Sequence, residues 1–307
     1  MPTLRGPHLR TPLTLLDPDR SALERSDPSI LEPGEDARYV VTRAGAAAMS
    51  EDEDGLLHLV LETDDPRGGT VQPLVLLGRR EGRRVLGVEI AEPSPELDDP
   101  GRDLRDLRHV ASELAEDDAD LALAATSMGA WHRSMRHCPL CGALLAAEMG
   151  GWVLRCTEDG SEHFPRTDPA VIMSVRDGAG RLLLARNAHF PTGFHSVLAG
   201  FVEPGETLEG AVAREVAEEV GLDVAEVQYV GSQPWPFPRS LMLGYRAWIR
   251  GTDTLTLADG EIAEARWFTR EELRAAVEDG SVGIPGTASL GRALIDDWLD
   301  EAEDPRA

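Results

Sequence analysis

One stretch constrains the fold and chemistry of this chain more than any other. Residues 200–222 read GFVEPGETLEGAVAREVAEEVGL. Within them, four aliphatic residues recur at every fourth position, which predicts an amphipathic helix over Thr207–Val220. Gly221 follows directly and is a typical helix-terminating residue. A loop rich in Gly and Pro, then a helix with one apolar stripe, is therefore predicted here.

The opposite face of this predicted helix is strongly acidic. Glu215, Glu218 and Glu219 are three and four positions apart, which places their carboxylates within about one helical turn. Like charges at these spacings cost a few tenths of a kcal/mol each in an isolated helix, so their clustering indicates compensation by cations. Ligand sets made only of oxygen suit Mg²⁺ or Mn²⁺. A solvated acidic face is the alternative, because the whole chain has a formal charge of −25.

The spacing of the fixed residues in this stretch decides between these interpretations. They match the pattern G-x5-E-x7-R-E-U-x-E-E-x-G-U, in which U is a bulky aliphatic residue, at Gly200, Glu206, Arg214, Glu215, Val216, Glu218, Glu219, Gly221 and Leu222. The stretch therefore resembles the Nudix box. The resemblance implies a mixed sheet between helices and a hydrolase that cleaves a nucleoside diphosphate linked to another moiety.

The resemblance also implies roles for individual residues. Bound Mg²⁺ or Mn²⁺ neutralises the charge of a diphosphate and lowers the pKa of a bound water. The residues implied as metal ligands are Glu215, Glu218, Glu219, the backbone carbonyl of Ala199, and Glu261 from a later acidic segment. Glu218 is alternatively the base that orients the water, and the choice of general base stays open. Arg214 is expected to pair with a carboxylate, and Glu206 to support the loop.

A second motif, SQPWPFPRS at residues 232–240, follows the box. Alternating Pro residues keep the backbone extended and present Trp235 and Phe237 on a stiff frame that suits stacking on a planar ring. From physics alone, a Pro-rich loop that fills the core is equally plausible. The residue pattern of this motif is similar to the signature of NADH pyrophosphatases, the NudC-like branch of Nudix enzymes.

This second resemblance implies a substrate. The expected reaction is hydrolysis of NADH to reduced nicotinamide mononucleotide and AMP, with weaker action on NAD⁺, and some members also remove NAD caps from RNA 5′ ends. Relatives of this type are homodimers, so a homodimer is expected. Phe201 is expected to stack beside the nicotinamide. The full set of implied substrate-binding residues is Phe164, Phe201, Gln233, Pro234, Trp235, Pro236, Phe237, Pro238, Arg239, Ser240, Ala288 through its backbone, and Arg108.

The three cysteines of the chain form a third pattern. Cys138 and Cys141 are separated by two residues, and Cys156 follows after fourteen more. The relatives carry a fourth Cys in a zinc ribbon, and Asp159 stands at that position here. Zn²⁺ bound by Cys138, Cys141, Cys156 and Asp159 is predicted as a structural ion, since four filled positions leave no site for water. His163 is an alternative fourth ligand, and a ribbon that has lost its ion is another alternative.

The organisation of the chain follows from these motifs. At 307 residues, more than one domain is expected. We predict an N-terminal, mainly β domain at 1–135 with a modest antiparallel sheet and a helix near 119–135. A zinc-ribbon-like segment at 136–167 and a Nudix domain at 168–307 follow. The fold class is α/β (α+β), with an α/β/α sandwich around a mixed sheet.

Composition limits location and partners. There is no apolar run of about 18 residues, so no membrane span is expected. The N-terminus does not resemble a secretory signal, and three cysteines fit a reducing compartment, so the prediction is cytoplasmic. The strongly acidic balance argues against non-specific DNA binding.

Other functions stay open at this point. One is a broader Nudix hydrolase that acts on ADP-ribose or dinucleoside polyphosphates, which SQPWPFPRS disfavours. Another is a catalytically silent sensor or scaffold, which the intact box disfavours. A nucleic-acid-binding zinc ribbon is disfavoured by the acidic charge and the altered fourth ligand. His195, on the approach to the box, is more often a structural residue than a catalytic one.

Overall fold

A computed structural model describes residues 9, 19–66, 74–90, 103–257 and 260–301. The described residues divide into two compact units. The first holds those between 13 and 167 together with Pro234–Arg239, and the second holds Leu9, Asp168–Gln233 and those from Ser240 onward. The division at Thr167 coincides with one predicted boundary, and the three-part domain organisation stays a prediction. Among the described helices, none is both long and apolar enough to cross a membrane.

The first unit is built on a six-stranded sheet. Its elements are β1 (Ala37–Arg43), β2 (Ala46–Glu51), β3 (Leu57–Leu59), β4 (Val75–Arg80), β5 (Arg83–Glu89), β6 (Asp103–Asp106), α1 (Leu107–Val110) and α2 (Glu116–Ser134). Two short 3₁₀ helices, Ala22–Glu24 and Pro28–Leu31, precede them. The strand order is β3-β2-β1-β5-β4, with β6 beside β2. Helix α2 packs on β1, β4 and β5.

This sheet differs from the antiparallel sheet that the sequence predicts. Strands β1 and β5 pair in parallel, whereas the other described pairs of the sheet are antiparallel. Apolar periodicity identifies strands and not their direction, because direction depends on which strands become neighbours. Strand β2, of sequence AAAMSE, was not predicted because Ala has a low strand propensity. Pairing with β1, β3 and β6 stabilises it instead.

The cysteine-containing segment forms a small antiparallel sheet within the first unit. Its strands are β7 (Leu145–Glu148), β8 (Val153–Cys156) and β9 (Glu162–His163), in that order. A 3₁₀ turn at Met149–Gly151 leads to Trp152, whose indole Nε1 donates to the Leu76 carbonyl at 2.8 Å. The guanidinium carbon of Arg25 lies 3.9 Å from the centre of the Trp152 ring. A hydrogen bond thus joins this segment to the N-terminal sheet, and a cation–π contact joins it to Arg25, which follows the first 3₁₀ helix.

The second unit contains a mixed six-stranded sheet and three helices. Its elements are β10 (Asp168–Arg176), β11 (Leu182–Asn187), β12 (Leu198–Phe201), α3 (Leu208–Val220), β13 (Asp223–Trp235), β14 (Ser240–Arg250), β15 (Ile262–Phe268), α4 (Arg270–Glu278) and α5 (Leu290–Asp300). The strand order is β13-β14-β10-β11-β15, with β12 beside β10. The β10–β14 pair is parallel, whereas β11 and β12 run antiparallel to β10.

Strand β10 separates two apolar layers. Val171, Met173 and Val175 pack with the buried stripe of α3, whereas the intervening Ile172 packs with residues of α4 and α5. Burial of each such side chain contributes about 1.5–3 kcal/mol relative to exposure, so the alternation fixes which face each helix covers. The predicted α/β/α sandwich with a mixed sheet is confirmed.

Candidate active site

Helix α3 begins and ends where the sequence predicts. The hydroxyl of Thr207 caps its N-terminus by accepting from the Gly210 amide at 3.1 Å. Gly221 ends it in the left-handed region, with φ 71°. Because both ends are fixed by local hydrogen bonds and the apolar stripe is buried, the carboxylates of the outer face have a defined direction.

Gly200, in β12, makes room for the carboxylate of Glu215. A Cβ atom at Gly200 would lie 1.8 Å from Cδ of Glu215 and about as close to both carboxylate oxygens. No other residue type can therefore occupy position 200 while Glu215 keeps this position. The first residue of the box and Glu215 of its helix thus fit together across the helix–strand contact.

Arg214 uses all five of its N–H groups in the cluster. Its Nε and Nη2 each donate to one carboxylate oxygen of Glu206 at 2.9 Å. Nη1 donates to Glu215 at 2.8 Å and to Glu218 at 2.9 Å. Nη2 also donates to the Phe201 carbonyl at 2.8 Å. One guanidinium thus fixes three carboxylates and the end of β12, a larger role than the single pairing expected from the sequence.

The charges of the cluster shift its protonation equilibria. Burial raises the pKa of Glu215, the Arg214 guanidinium opposes that rise, and the nearby Glu218 and Glu261 carboxylates add to it. Hydrogen bonds from Arg214 hold the pKa of Glu206 below its ordinary value. The pKa of Arg214 is raised, chiefly by its bonds to Glu206. Burial, together with the repulsion of Glu218 and Glu261, therefore disfavours the anionic form of Glu215 in the absence of a cation.

The other predicted metal ligands belong to α3, to β12 and to the residue that precedes β15. Glu219 is on the buried side of α3, with 5% of its surface exposed. Glu261 immediately precedes β15 and accepts from the side-chain amide of Asn187 at 3.2 Å. Its backbone carbonyl accepts from the Ala188 amide at 2.8 Å. Ala199 pairs with Ile172 in the β10–β12 ladder. The sequence does not predict a role for Asn187, because nothing in its neighbourhood marks it as a support for Glu261.

The donor set fits a hard divalent cation. Three carboxylates of the box share one arginine and Glu219 adds a fourth negative charge, so negative charge exceeds the positive charge that these box residues provide. Within the described part of the chain, only the cysteine cluster gathers three or more ligand atoms closely enough to share an ion. Arg214 and Gly200 orient the box carboxylates, but the ligand atoms of these carboxylates are not as close together as those of the cysteine cluster.

The predicted aromatic segment forms a paired unit. The rings of Trp235 and Phe237 meet edge to face, with centroids 5.2 Å apart. The Phe237 amide donates to the Trp235 carbonyl at 2.7 Å, and Pro236 between them is buried. The segment is thus held by its own contacts, as its Pro content predicts.

Gln233 precedes that segment and has both amide groups engaged. Its Nε2 donates to the Ala288 carbonyl at 2.7 Å, and its Oε1 accepts from the Leu290 amide at 2.8 Å. Only 1% of its surface is exposed, so it anchors the start of α5. No local sequence pattern predicts this structural role. Direct substrate contacts from Gln233 and Ala288 stay predictions.

The remaining predicted residues have mixed exposure. Phe201 and Phe164 expose 58% and 43% of their surfaces, which is unusual for large aromatic residues and leaves both rings accessible. Arg108, in α1, is also exposed. His195 is buried, with Nδ1 3.1 Å from the Gly193 carbonyl and its ring against Phe268, as expected of a structural histidine.

The cysteine cluster is fully assembled. One ligand atom from each of Cys138, Cys141, Cys156 and Asp159 lies within 4.8 Å of every other. The two loops that carry them share a backbone pattern, because Gly142 donates to the Cys138 carbonyl at 2.9 Å and Gly160 donates to that of Cys156 at 3.2 Å.

Both of these glycines have positive φ, at 79° and 71°. Asp159 therefore occupies in the second loop the place that Cys141 occupies in the first. Hydrogen bonds from Ser161 hold the pKa of Asp159 well below its usual range, so this carboxyl is an anion. Three sulfurs and one carboxylate oxygen fit Zn²⁺.

Comparison with known proteins identifies relatives of both units. The NUDIX domain family matches residues 166–284, and the NADH pyrophosphatase-like rudimentary NUDIX domain matches residues 36–131. A protein of Mycobacterium bovis named NAD-capped RNA hydrolase NudC is 44% identical over 234 residues, which cover 73% of this chain and 74% of the relative. Its namesake from Stutzerimonas stutzeri is 40% identical over 223 residues, with 73% and 76% covered. The human NAD-capped RNA hydrolase NUDT12 is 40% identical over 199 residues, with 61% and 43% covered.

Proposed function

Because this chain belongs to the Nudix hydrolase family, in the branch whose members are named NudC, we propose that it hydrolyses the diphosphate bond of NADH. The products are reduced nicotinamide mononucleotide and AMP. NAD⁺ is a poorer substrate, and the same bond is cleaved in NAD caps at RNA 5′ ends. The observation that carries the proposal is the position of the Glu215 carboxylate. This carboxylate packs against Gly200 and is held by Arg214, close to other carboxylates.

The catalytic cofactor is Mg²⁺ or Mn²⁺. The residues that hold it are the Ala199 carbonyl and the carboxylates of Glu215, Glu218, Glu219 and Glu261. When bound, such an ion neutralises diphosphate charge and lowers the pKa of water. Arg214 and Glu206 act by orienting the carboxylates, since the guanidinium has no N–H left to bind substrate.

The reaction exchanges one bond to phosphorus for another. A water oxygen forms the new P–O bond while the bridging P–O bond of the diphosphate breaks. One phosphate remains on AMP and the other on the nicotinamide nucleotide. A carboxylate of α3 accepts the proton of the water, because Arg214 carries no free lone pair.

The nucleotide is bound by aromatic and polar groups. We assign stacking to Phe201, Phe164 and the Trp235–Phe237 pair, whose rings are wholly or partly accessible. The remaining residues of Gln233–Ser240, the Ala288 backbone and Arg108 complete the proposed binding set. We further propose a cytoplasmic homodimer.

A second ion, Zn²⁺, is structural. Cys138, Cys141, Cys156 and Asp159 hold it, and the closeness of their ligand atoms supports this assignment. Four protein ligands leave no position for water, so this ion supplies no catalytic group.

The decisive experiment is product analysis by mass spectrometry. The purified chain is incubated with Mg²⁺ or Mn²⁺ and, in parallel, NADH, NAD⁺, ADP-ribose and a short NAD-capped RNA. Reduced nicotinamide mononucleotide and AMP should form fastest from NADH, and the capped RNA should yield a 5′-monophosphate end. Cleavage of ADP-ribose with NADH left intact would overturn the substrate while keeping the chemistry.

A further inference from the structure

Ser161, two residues beyond the cysteine cluster, holds its only carboxylate. The Ser161 backbone amide and hydroxyl both donate to Oδ1 of Asp159, at 2.8 and 2.6 Å. The other oxygen, Oδ2, faces the sulfurs and lies 3.6 Å from Sγ of Cys138. One carboxylate oxygen is thus occupied by Ser161, and the other is left to face the thiol ligands.

The hydrogen bonds made by the Ser161 hydroxyl also define the role of His163. The hydroxyl has one proton, and at 2.6 Å it is given to Asp159. Nε2 of His163 lies 3.2 Å from the same hydroxyl oxygen, so this contact requires an N–H on Nε2 that donates to Ser161. A nitrogen that carries a proton has no lone pair for a metal ion. His163 therefore supports Ser161 through this nitrogen.

We propose that Ser161 is a positioning residue that presents Asp159 to the metal through a single oxygen, and that His163 acts through Ser161 and does not bind the ion. The inference rests on the zinc site proposed above. Residues that orient a ligand from outside the coordination shell change metal affinity by about 10–100-fold when removed. With Cys in place of Asp159 there is no carboxylate for Ser161 to orient, and its hydroxyl then keeps only its contacts with His163 and with Sγ of Cys138, 3.5 Å away.

The first test measures zinc release to a colorimetric chelator from protein prepared in zinc-replete medium. Elemental analysis should first find zinc in the unmodified chain; finding none would overturn the zinc site and, with it, the role of Ser161. Ser161→Ala should then release zinc about tenfold faster, whereas Ser161→Thr, which keeps the hydroxyl, should behave as the unmodified chain does.

Thr157→Val is the matched control, because the Thr157 hydroxyl donates to the Leu144 carbonyl in the same sheet. It should leave release unchanged. Equal effects of Ser161→Ala and Thr157→Val would show a general loosening of the sheet and would overturn the proposal.

The second test removes the carboxylate that Ser161 is proposed to hold. In an Asp159→Cys background, Ser161→Ala should no longer accelerate zinc release, because the residue it positions is gone. Equal acceleration in both backgrounds would contradict the assignment.

His163→Ala should release zinc more slowly than Asp159→Asn, and the reverse order would make His163 the fourth ligand. Cobalt substitution provides an independent readout, since the visible bands of the bound ion should shift with Asp159→Cys and stay nearly unchanged with His163→Ala.

Discussion

Each unit of this chain buries a carboxylate against a glycine, and the two carboxylates differ in their partners. In the second unit, Gly200 lies on a strand and Glu215 on a helix. In the first unit the arrangement is reversed: Gly129 is on helix α2, and a Cβ there would lie 2.5 Å from Oε2 of Glu89 on β5.

The carboxylate of the first unit is completely satisfied within the protein. Thr42 donates to one oxygen of Glu89 at 2.8 Å, and the Ala44 amide donates to the other at 2.9 Å. Arg133 pairs with the same carboxylate. In the second unit, Arg214 is divided among Glu206, Glu215 and Glu218.

This difference separates a structural carboxylate from one suited to catalysis. A buried anion with its own donors and cation stabilises the fold and has little capacity for another cation. An anion that shares its cation with two others keeps that capacity, and burial together with the nearby Glu218 and Glu261 carboxylates raises the pKa of Glu215. The match of residues 36–131 to a rudimentary NUDIX domain agrees with a first unit in which α2 lacks the R-E-x-x-E-E pattern of α3.

The largest expected effect comes from removing one charge of the second unit. Glu219→Gln should lower turnover of NADH about a thousandfold, equivalent to ~4 kcal/mol of barrier, because it removes a charge that we propose binds the metal and leaves packing intact. The thermal midpoint should change little. Glu209→Gln, at an exposed position of the same helix, is the control and should keep full activity. Near-normal turnover in the Glu219→Gln variant would refute the metal assignment.

Next in size is the glycine of the second unit. Gly200→Ala should lower turnover about a hundredfold, because the added Cβ displaces the Glu215 carboxylate and misplaces a catalytic group. Gly178→Ala is the matched control, since a Cβ at that turn meets no atom within 4 Å. Steady-state kinetics at saturating Mg²⁺ would check both variants. Unchanged kinetics of Gly200→Ala would mean that catalysis does not require the space that Gly200 leaves for the Glu215 carboxylate.

Whether a feature of these sites could be predicted from the sequence depends on how far apart in the chain the interacting residues are. Helix α3 was predictable because its period, caps and acidic spacing are all local. The parallel β1–β5 pair and strand β2 were not, because their formation depends on neighbours distant in the chain. The buried contacts of Gln233 and the support of Glu261 by Asn187 likewise depend on tertiary placement. Motif spacing predicts which residues take part in the site, and the tertiary fold determines how each is held.

The carboxylate of the first unit should affect stability and not chemistry. Glu89→Gln should lower the free energy of unfolding by about 2 kcal/mol, since the new amide cannot accept from all three donors and Arg133 loses its partner. Arg133 has 39% of its side chain exposed, so it reaches water and the loss stays moderate. Urea unfolding would measure this change, and the rate of NADH hydrolysis per folded molecule should not change. A loss of turnover without a loss of stability would give Glu89 a catalytic role and end the contrast between the units.

The smallest expected effect tests whether the first unit also needs its glycine. Gly129→Ala adds about 1 kcal/mol of helix propensity to α2 but forces Glu89 from its hydrogen bonds, which costs about 1–3 kcal/mol. A net destabilisation of about 1 kcal/mol should appear in the urea midpoint. In a Glu89→Ala background the displaced carboxylate is absent, so the same change should no longer destabilise. Equal destabilisation in both backgrounds would show that Gly129 is required by the packing of α2 and not by the carboxylate, and the parallel with Gly200 would fail.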